Sequence, residues 1–170
     1  VPTDAVSLVA AFEGFRSAPY QDGGGVWTIG YGTTRIDGVP VTADTPAMSD
    51  AQARAQMRVD MADAAQGVAS QITAALLEHE AAALISWTYN LGVGNLERST
   101  LRAFVNQRKP GVDTEFAKWI NVAGKPSLGL RRRRWAEAAV FYGVAVADAV
   151  SAAFAGVQTT WDWPEIKHDL

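Results

Sequence analysis

The stretch Glu13-Gly14-Phe15-Arg16-Ser17-Ala18-Pro19-Tyr20-Gln21-Asp22-Gly23-Gly24-Gly25-Val26-Trp27-Thr28-Ile29-Gly30-Tyr31-Gly32-Thr33 decides how the chain reads. Before it, Val6, Val9, Ala10, Ala11 and Phe12 recur at helical spacing behind Thr3 or Asp4, either of which suits a helix N-cap, and Gly14 is a suitable stop. Glu13 is therefore expected at the C-terminal end of a first helix. From Pro19 to Pro40, glycines alternate with aromatic and β-branched residues, and Asp37-Gly38 adds a second turn signal; the segment reads as a small antiparallel hairpin sheet.

Outward from this stretch the pattern is helical. Ser49-Asp50-Ala51-Gln52 is a capping box, and it opens a long helix expected over about residues 50–66 and broken at Gly67. Further helices are expected at about 73–91, 99–107, 113–120 and 127–142, with Ser99 and Asp113 as caps. The 30 alanines in 170 residues favour helix throughout, so the fold class is α+β, mainly α. The length suits one folding unit, and 48% apolar against 19% charged residues suits a packed core.

Composition also removes whole classes of function. A net charge of −3 offers no broad basic field for nucleic acid. With no cysteine there are no disulfides, thiolate zinc sites or cysteine nucleophiles. His79 and His168 lack ligand-spaced partners, so neither a metal nor a cofactor is implied. No apolar run is long enough to span a bilayer, including Val144 to Ala155, where Asp148 interrupts; that segment is expected to pack across the helical bundle. The chain starts Val1-Pro2-Thr3-Asp4 and displays no signal-like apolar core behind a charged stretch. The run Arg131-Arg132-Arg133-Arg134 points all round a helix rather than forming one patch. One or two of these arginines are expected to pair with acidic residues such as Glu137, and the others to face solvent or an anionic partner. Trp87, Trp119 and Trp135 fall on expected helices and read as core, whereas Trp161-Asp162-Trp163-Pro164 either anchors the tail or docks a partner.

The candidate chemistry is concentrated where helix gives way to hairpin. Two carboxylates on different elements, Glu13 at a helix end and Asp22 at a glycine-rich turn, can flank a cleft, and glycosidic hydrolysis requires such a pair. One is a protonated acid for the leaving oxygen; the other is an anion that handles water. Glycines 23–25 let the backbone bend and keep side chains out of the path of a polymer.

Glu13-Gly14-Phe15, Pro19-Tyr20-x-Asp22, Gly25 and Thr28-Ile29-Gly30-Tyr31-Gly32-Thr33 together resemble the amino-terminal signature of the phage-type lysozymes, glycoside hydrolase family 24. The resemblance continues through Ala82 to Gly92, Ser99-Thr100-Leu101, and Gly129-Leu130-x-x-Arg133-Arg134-x-x-Glu137-x-x-x-Phe141, covering about residues 4–143. It implies a lysozyme-like two-lobe fold with a small antiparallel sheet and a helical bundle. Residues 1–143 would form the catalytic domain, with a sheet lobe at about 15–48 and a helical lobe at about 70–143, and residues 144–170 a helical extension packed on it. The implied protein is an endolysin, expected to act as a monomer on peptidoglycan glycan strands without a cofactor or nucleic-acid partner, present in the host cytoplasm before release to the periplasm or cell wall.

Residue by residue, the resemblance assigns Glu13 as general acid, Asp22 as the carboxylate that positions or activates water, and Thr28 as its hydroxyl partner, acting with inversion at the anomeric carbon. Thr34, Tyr89 and Asn90 match cleft positions. Tyr89 suits a sugar face and Asn90 an N-acetyl group, although a packed Tyr and a helix-ending Asn fit the same pattern. Thr33 stands where many family members carry His, so an ion pair made by that His is missing here. Two other classes compete: a non-cutting glycan-binding relative, against which the intact Glu13, Asp22 and Thr28 argue, and a lytic transglycosylase, which needs no water-holding pair.

Overall fold

The computed structural model describes residues 1–167; His168 and the last two positions of the expected extension lie outside the described residues. Helix α1 (Thr3–Glu13) leads into a hairpin of β1 (Arg16–Gln21) and β2 (Trp27–Gly30), then a second small hairpin of β3 (Arg35–Ile36) and β4 (Val39–Pro40). Both hairpins are antiparallel; Tyr20 pairs with Thr28 and Gln21 with Trp27, so Asp22 falls at the mouth of the first turn. Gly14, at φ +63°, ends α1 in a backbone conformation that strains any residue with a Cβ.

The helical part begins with α2 (Asp50–Asp60) and α3 (Ala62–Gln71). The capping box forms as expected: Gln52 N–H donates to Ser49 Oγ at 3.2 Å and Ser49 N–H to Gln52 Oε1 at 2.8 Å. The expected break at Gly67 does not occur. The helix breaks at Met61 instead, and Gly67 lies inside α3, where a Cβ would stand 2.7 Å from Val93 Cγ2. Glycine there admits a neighbouring helix rather than ending its own.

Helix α4 (Glu78–Leu91) starts five residues later than expected, because the backbone before it is held otherwise. Thr73 and Ala74 donate their N–H groups to Asn106 Oδ1 at 2.7 and 3.3 Å, and Leu77 N–H donates to Glu80 Oε2 at 2.8 Å. Helix α5 (Val93–Arg98), hidden in sequence by Gly92 and Gly94, precedes α6 (Thr100–Asn106), which Ser99 caps as expected. Helix α7 (Val112–Ala117) is capped by Gly111 and not by Asp113, which lies inside its first turn. A third hairpin, β5 (Asn121–Val122) with β6 (Lys125–Pro126), was not expected; Ala123 and Gly124, both at positive φ, turn it.

Helix α8 (Leu128–Phe141) and helix α9 (Val146–Gly156) complete the chain of elements. The core centres on α4, in which Ala82 to Thr88 are buried without interruption. Trp87 is buried against an edge-on Trp119, with Leu8, Leu84, Leu96, Leu101 and Phe116 around them. Each such aliphatic or aromatic side chain contributes about 1.5–3 kcal/mol by leaving water. Ala149 and Ala153 of α9, and Val157 at its C-terminal cap, are fully buried in this core. No described helix is long and apolar enough to cross a membrane.

Two arginines expected to face solvent or an anionic partner are instead structural. Arg131 donates Nε to Asp162 O at 2.8 Å and Nη2 to Trp161 O at 3.2 Å, with its guanidinium over the Trp163 ring. Arg132 donates Nε to Val157 O at 2.9 Å. The Trp135 indole N–H adds a bond to Pro164 O at 2.8 Å. Neighbouring arginines of α8 thus tie down the tail, which is why the tail runs over the bundle although only its Trp163 and Ile166 pack on the core. Trp161 itself remains exposed.

Candidate active site

Glu13 lies at the last position of α1, as its spacing predicts. Its Oε1 accepts a hydrogen bond from Arg133 Nη1 at 2.6 Å, an ion pair between a buried guanidinium and a carboxylate about one-third exposed. Among the described residues no other group hydrogen-bonds the Glu13 carboxyl, so Oε2 remains open.

Asp22 is fixed by its own turn. Its Oδ1 accepts from the N–H groups of Gly24 and Val26, both at 2.9 Å, while the backbone closes through Gly25 N–H to Asp22 O. An aspartate that gathers local backbone donors stabilises a tight turn and points in one direction. Thr28 is buried, and its hydroxyl donates to Val26 O at 3.0 Å. The expected donation from Thr28 to Asp22 is absent. The two residues meet instead at Val26, whose N–H is held by Asp22 and whose carbonyl is held by Thr28. The Thr28 proton is engaged, and its oxygen lone pairs stay free to accept.

Thr34 and Tyr89 line one small cavity of about 170 Å³ with Gly32, Thr33, Arg35 and Asp60. Burial pushes the Tyr89 phenol up to about 12, with Asp60 and Glu13 adding in the same sense, so its O–H stays a neutral donor beside the carboxylates. Thr33 is buried, and its hydroxyl donates to Asp60 Oδ2 at 2.6 Å. The acceptor is a carboxylate and the donor an uncharged hydroxyl, so the contact is a hydrogen bond and not an ion pair. Asn90 turns inward: its Oδ1 accepts from Arg134 Nη2 at 2.8 Å.

Behind Glu13 lies a buried charge network. Glu137 is completely buried, and its Oε1 accepts from Ser86 Oγ at 2.7 Å, Arg133 Nε at 3.2 Å and Arg134 Nη2 at 3.3 Å. Arg134 Nε lies 3.0 Å from Glu137 Oε2 as an ion pair, without hydrogen-bond alignment. Burial pulls the Arg134 guanidinium down to about 10 while Glu137 opposes the change, which leaves it protonated at neutral pH. Sequence reading anticipated the Arg–Glu137 pairing but not that Arg133 also reaches Glu13, 120 positions away. Asp60 was missed entirely, and nothing in its local pattern marks it, since its partner Thr33 is 27 positions distant.

The phage lysozyme family model matches residues 10–137. The SAR-endolysin of bacteriophage PS34 is 34% identical over 123 residues, covering 72% of this chain and 71% of the relative. The endolysin of Acyrthosiphon pisum secondary endosymbiont phage 1 is 32% identical over 139 residues, 79% of this chain and 92% of its own. Among solved structures, the endolysin from Escherichia coli O157:H7 phage FAHEc1 superposes with a TM-score of 0.75 at 32% identity, covering 82% of this chain and 90% of that one. With three quarters of its length inside the family model and its carboxylates on the expected helix end and hairpin, the chain belongs to the phage lysozyme family, the muramidases that degrade bacterial peptidoglycan.

Proposed function

We propose that this muramidase hydrolyses the β-1,4 bond between N-acetylmuramic acid and N-acetylglucosamine with inversion, using Glu13 as general acid and Asp22 with Thr28 to hold the attacking water. The arrangement around Val26 carries the reading. Asp22 Oδ1 is engaged by two backbone donors, which leaves Oδ2 as an acceptor; Thr28 has given its proton to Val26 O, which leaves its oxygen as a second acceptor. A water donating to both presents its lone pair outward, as in-line attack on an anomeric carbon needs. On the other side, Arg133 engages Glu13 Oε1, so the proton delivered to the leaving oxygen sits on Oε2. Inversion calls for carboxyl groups about 6.5–9.5 Å apart, wide enough for that water.

Thr34 and Tyr89 are proposed as substrate contacts in their shared cavity. Asn90 is proposed to act through its amide nitrogen, because its oxygen is held by Arg134. The site of action is the cell wall, after synthesis in the host cytoplasm, with residues 1–143 as the catalytic unit and the following helix packed on it.

Digestion of purified peptidoglycan by the protein and by Glu13→Gln, with mass spectrometry of the released ends, tests the reading. Reducing N-acetylmuramic ends that disappear in the variant are the expected result. Anhydro ends, or equal release by both proteins, would overturn it, the first in favour of a transglycosylase.

A further inference from the structure

Helix α9 lies beyond the stretch matched by the family model, yet it reaches the turn that carries Glu13. The Phe154 ring stacks on Phe12 with centroids 5.9 Å apart and planes 16° from parallel. The Arg132 guanidinium sits 5.1 Å from the Phe154 centroid, and the Arg133 guanidinium 6.0 Å from that of Phe12. These contacts form one sequence, Arg132 to Phe154 to Phe12 to Arg133, and it ends at the guanidinium that holds Glu13 Oε1.

Phe154 is not what fastens α9 to the protein. Ala149, Ala153 and Val157 are fully buried and do that, whereas Phe154 is 46% exposed and makes its ring contact with Phe12. Phe12 directly precedes Glu13 in the final turn of α1, where backbone hydrogen bonding is incomplete and helices fray. A stacked ring plus a guanidinium over the same side chain restrains that turn. A general acid needs such restraint, because a carboxyl about 1 Å out of place can lose on the order of a hundredfold in rate.

We infer that Phe154 is a positioning residue for Glu13: by pinning Phe12 it fixes both the last turn of α1 and the guanidinium that orients the acid. It touches no reacting atom. The inference rests on the reading of Glu13 as the general acid, and the test separates the two.

Steady-state kinetics on soluble peptidoglycan fragments are measured for the protein and for Phe154→Ala, Phe154→Tyr, Val150→Ala and Glu13→Gln. Phe154→Ala is expected to lower kcat about five- to tenfold with KM within about twofold, the signature of a group that matters in the transition state rather than in binding. Phe154→Tyr keeps the ring and is expected to restore most of kcat. Val150→Ala trims the same helix where it lines a groove with Ala10 and Ala11, and is expected to leave kcat unchanged. The inference is overturned if Phe154→Ala keeps kcat within about twofold while Glu13→Gln is inactive, if the loss falls on KM alone, or if Val150→Ala loses as much kcat. An active Glu13→Gln would instead overturn the underlying assignment of the acid.

Discussion

Replacing Glu137 by Gln should destabilise the protein far more than replacing Glu13 by Gln, although both carboxyls pair with Arg133. Glu137 is completely buried and takes two guanidinium donors and the Ser86 hydroxyl on one oxygen, with a third guanidinium nitrogen 3.0 Å from the other. An amide of the same size removes the charge that compensates Arg134, itself fully buried, and leaves only Glu13 facing Arg133. Whichever way the amide is flipped, its NH₂ group points toward at least one donor of this cluster. Removing one partner of a buried ion pair costs about 3–5 kcal/mol, since the other charge stays buried without compensation. At about 2–4 °C per kcal/mol for a domain of this size, Tm should fall by roughly 6–20 °C. Glu13, one-third exposed, lets water reach Arg133 when its charge is removed, so Glu13→Gln should cost less than about 1 kcal/mol. Calorimetry and urea unfolding at neutral pH measure both. A Glu137→Gln variant within about 1 kcal/mol of the parent would refute the claim that this network holds α8 to α4.

Gly67→Ala should destabilise by about 1–3 kcal/mol, although the same change in an open helix gains nearly 1 kcal/mol, because the new Cβ would meet Val93 Cγ2 at 2.7 Å; a stabilised variant in urea unfolding would show that α3 and α5 separate freely. The tail should loosen in acid. Asp162 is held below the usual carboxylate range by the N–H groups of Thr159 and Gln158, so its stabilising contribution is complete above the unfolded value near 3.9 and is lost as pH falls through the lower folded value. Acrylamide quenching of tryptophan fluorescence should therefore rise below about pH 4 ahead of global unfolding, and Asp162→Asn should show the raised quenching already at about pH 7; identical pH profiles for the two proteins would contradict this.

Much of this architecture was legible because it is local. The Ser49 box, the Ser99 cap, the end of α1 at Gly14 and the hairpin from Arg16 to Gly30 are each specified within a few residues. Several misreadings share a cause, which is that a residue's role was set by a distant partner. Gly67 looked like a helix break and is a packing notch for Val93. Residues 73–77 looked helical, but Asn106 takes the N–H groups of Thr73 and Ala74. Of the four consecutive arginines, two are buried on Glu137 as the sequence suggested, whereas the two expected to face solvent or an anionic partner hold the tail by its carbonyls, because a helix presents successive residues to different neighbours. In the candidate site, Glu13, Asp22 and Thr28 could be named through the resemblance to the phage-type lysozymes, not from spacing alone. The way Asp22 and Thr28 share Val26, the placing of Arg133 on Glu13 and the inward turn of Asn90 required coordinates.

The most direct test of the central claim is proton NMR of the first sugar released from a peptidoglycan oligomer, followed before mutarotation equilibrates the anomers. Water held by Asp22 and Thr28 against a β-linked substrate predicts the α-anomer as the initial product. The β-anomer appearing first would mean that a carboxylate attacks the anomeric carbon directly, which contradicts an attacking water held by Asp22 and Thr28 opposite Glu13 as the acid.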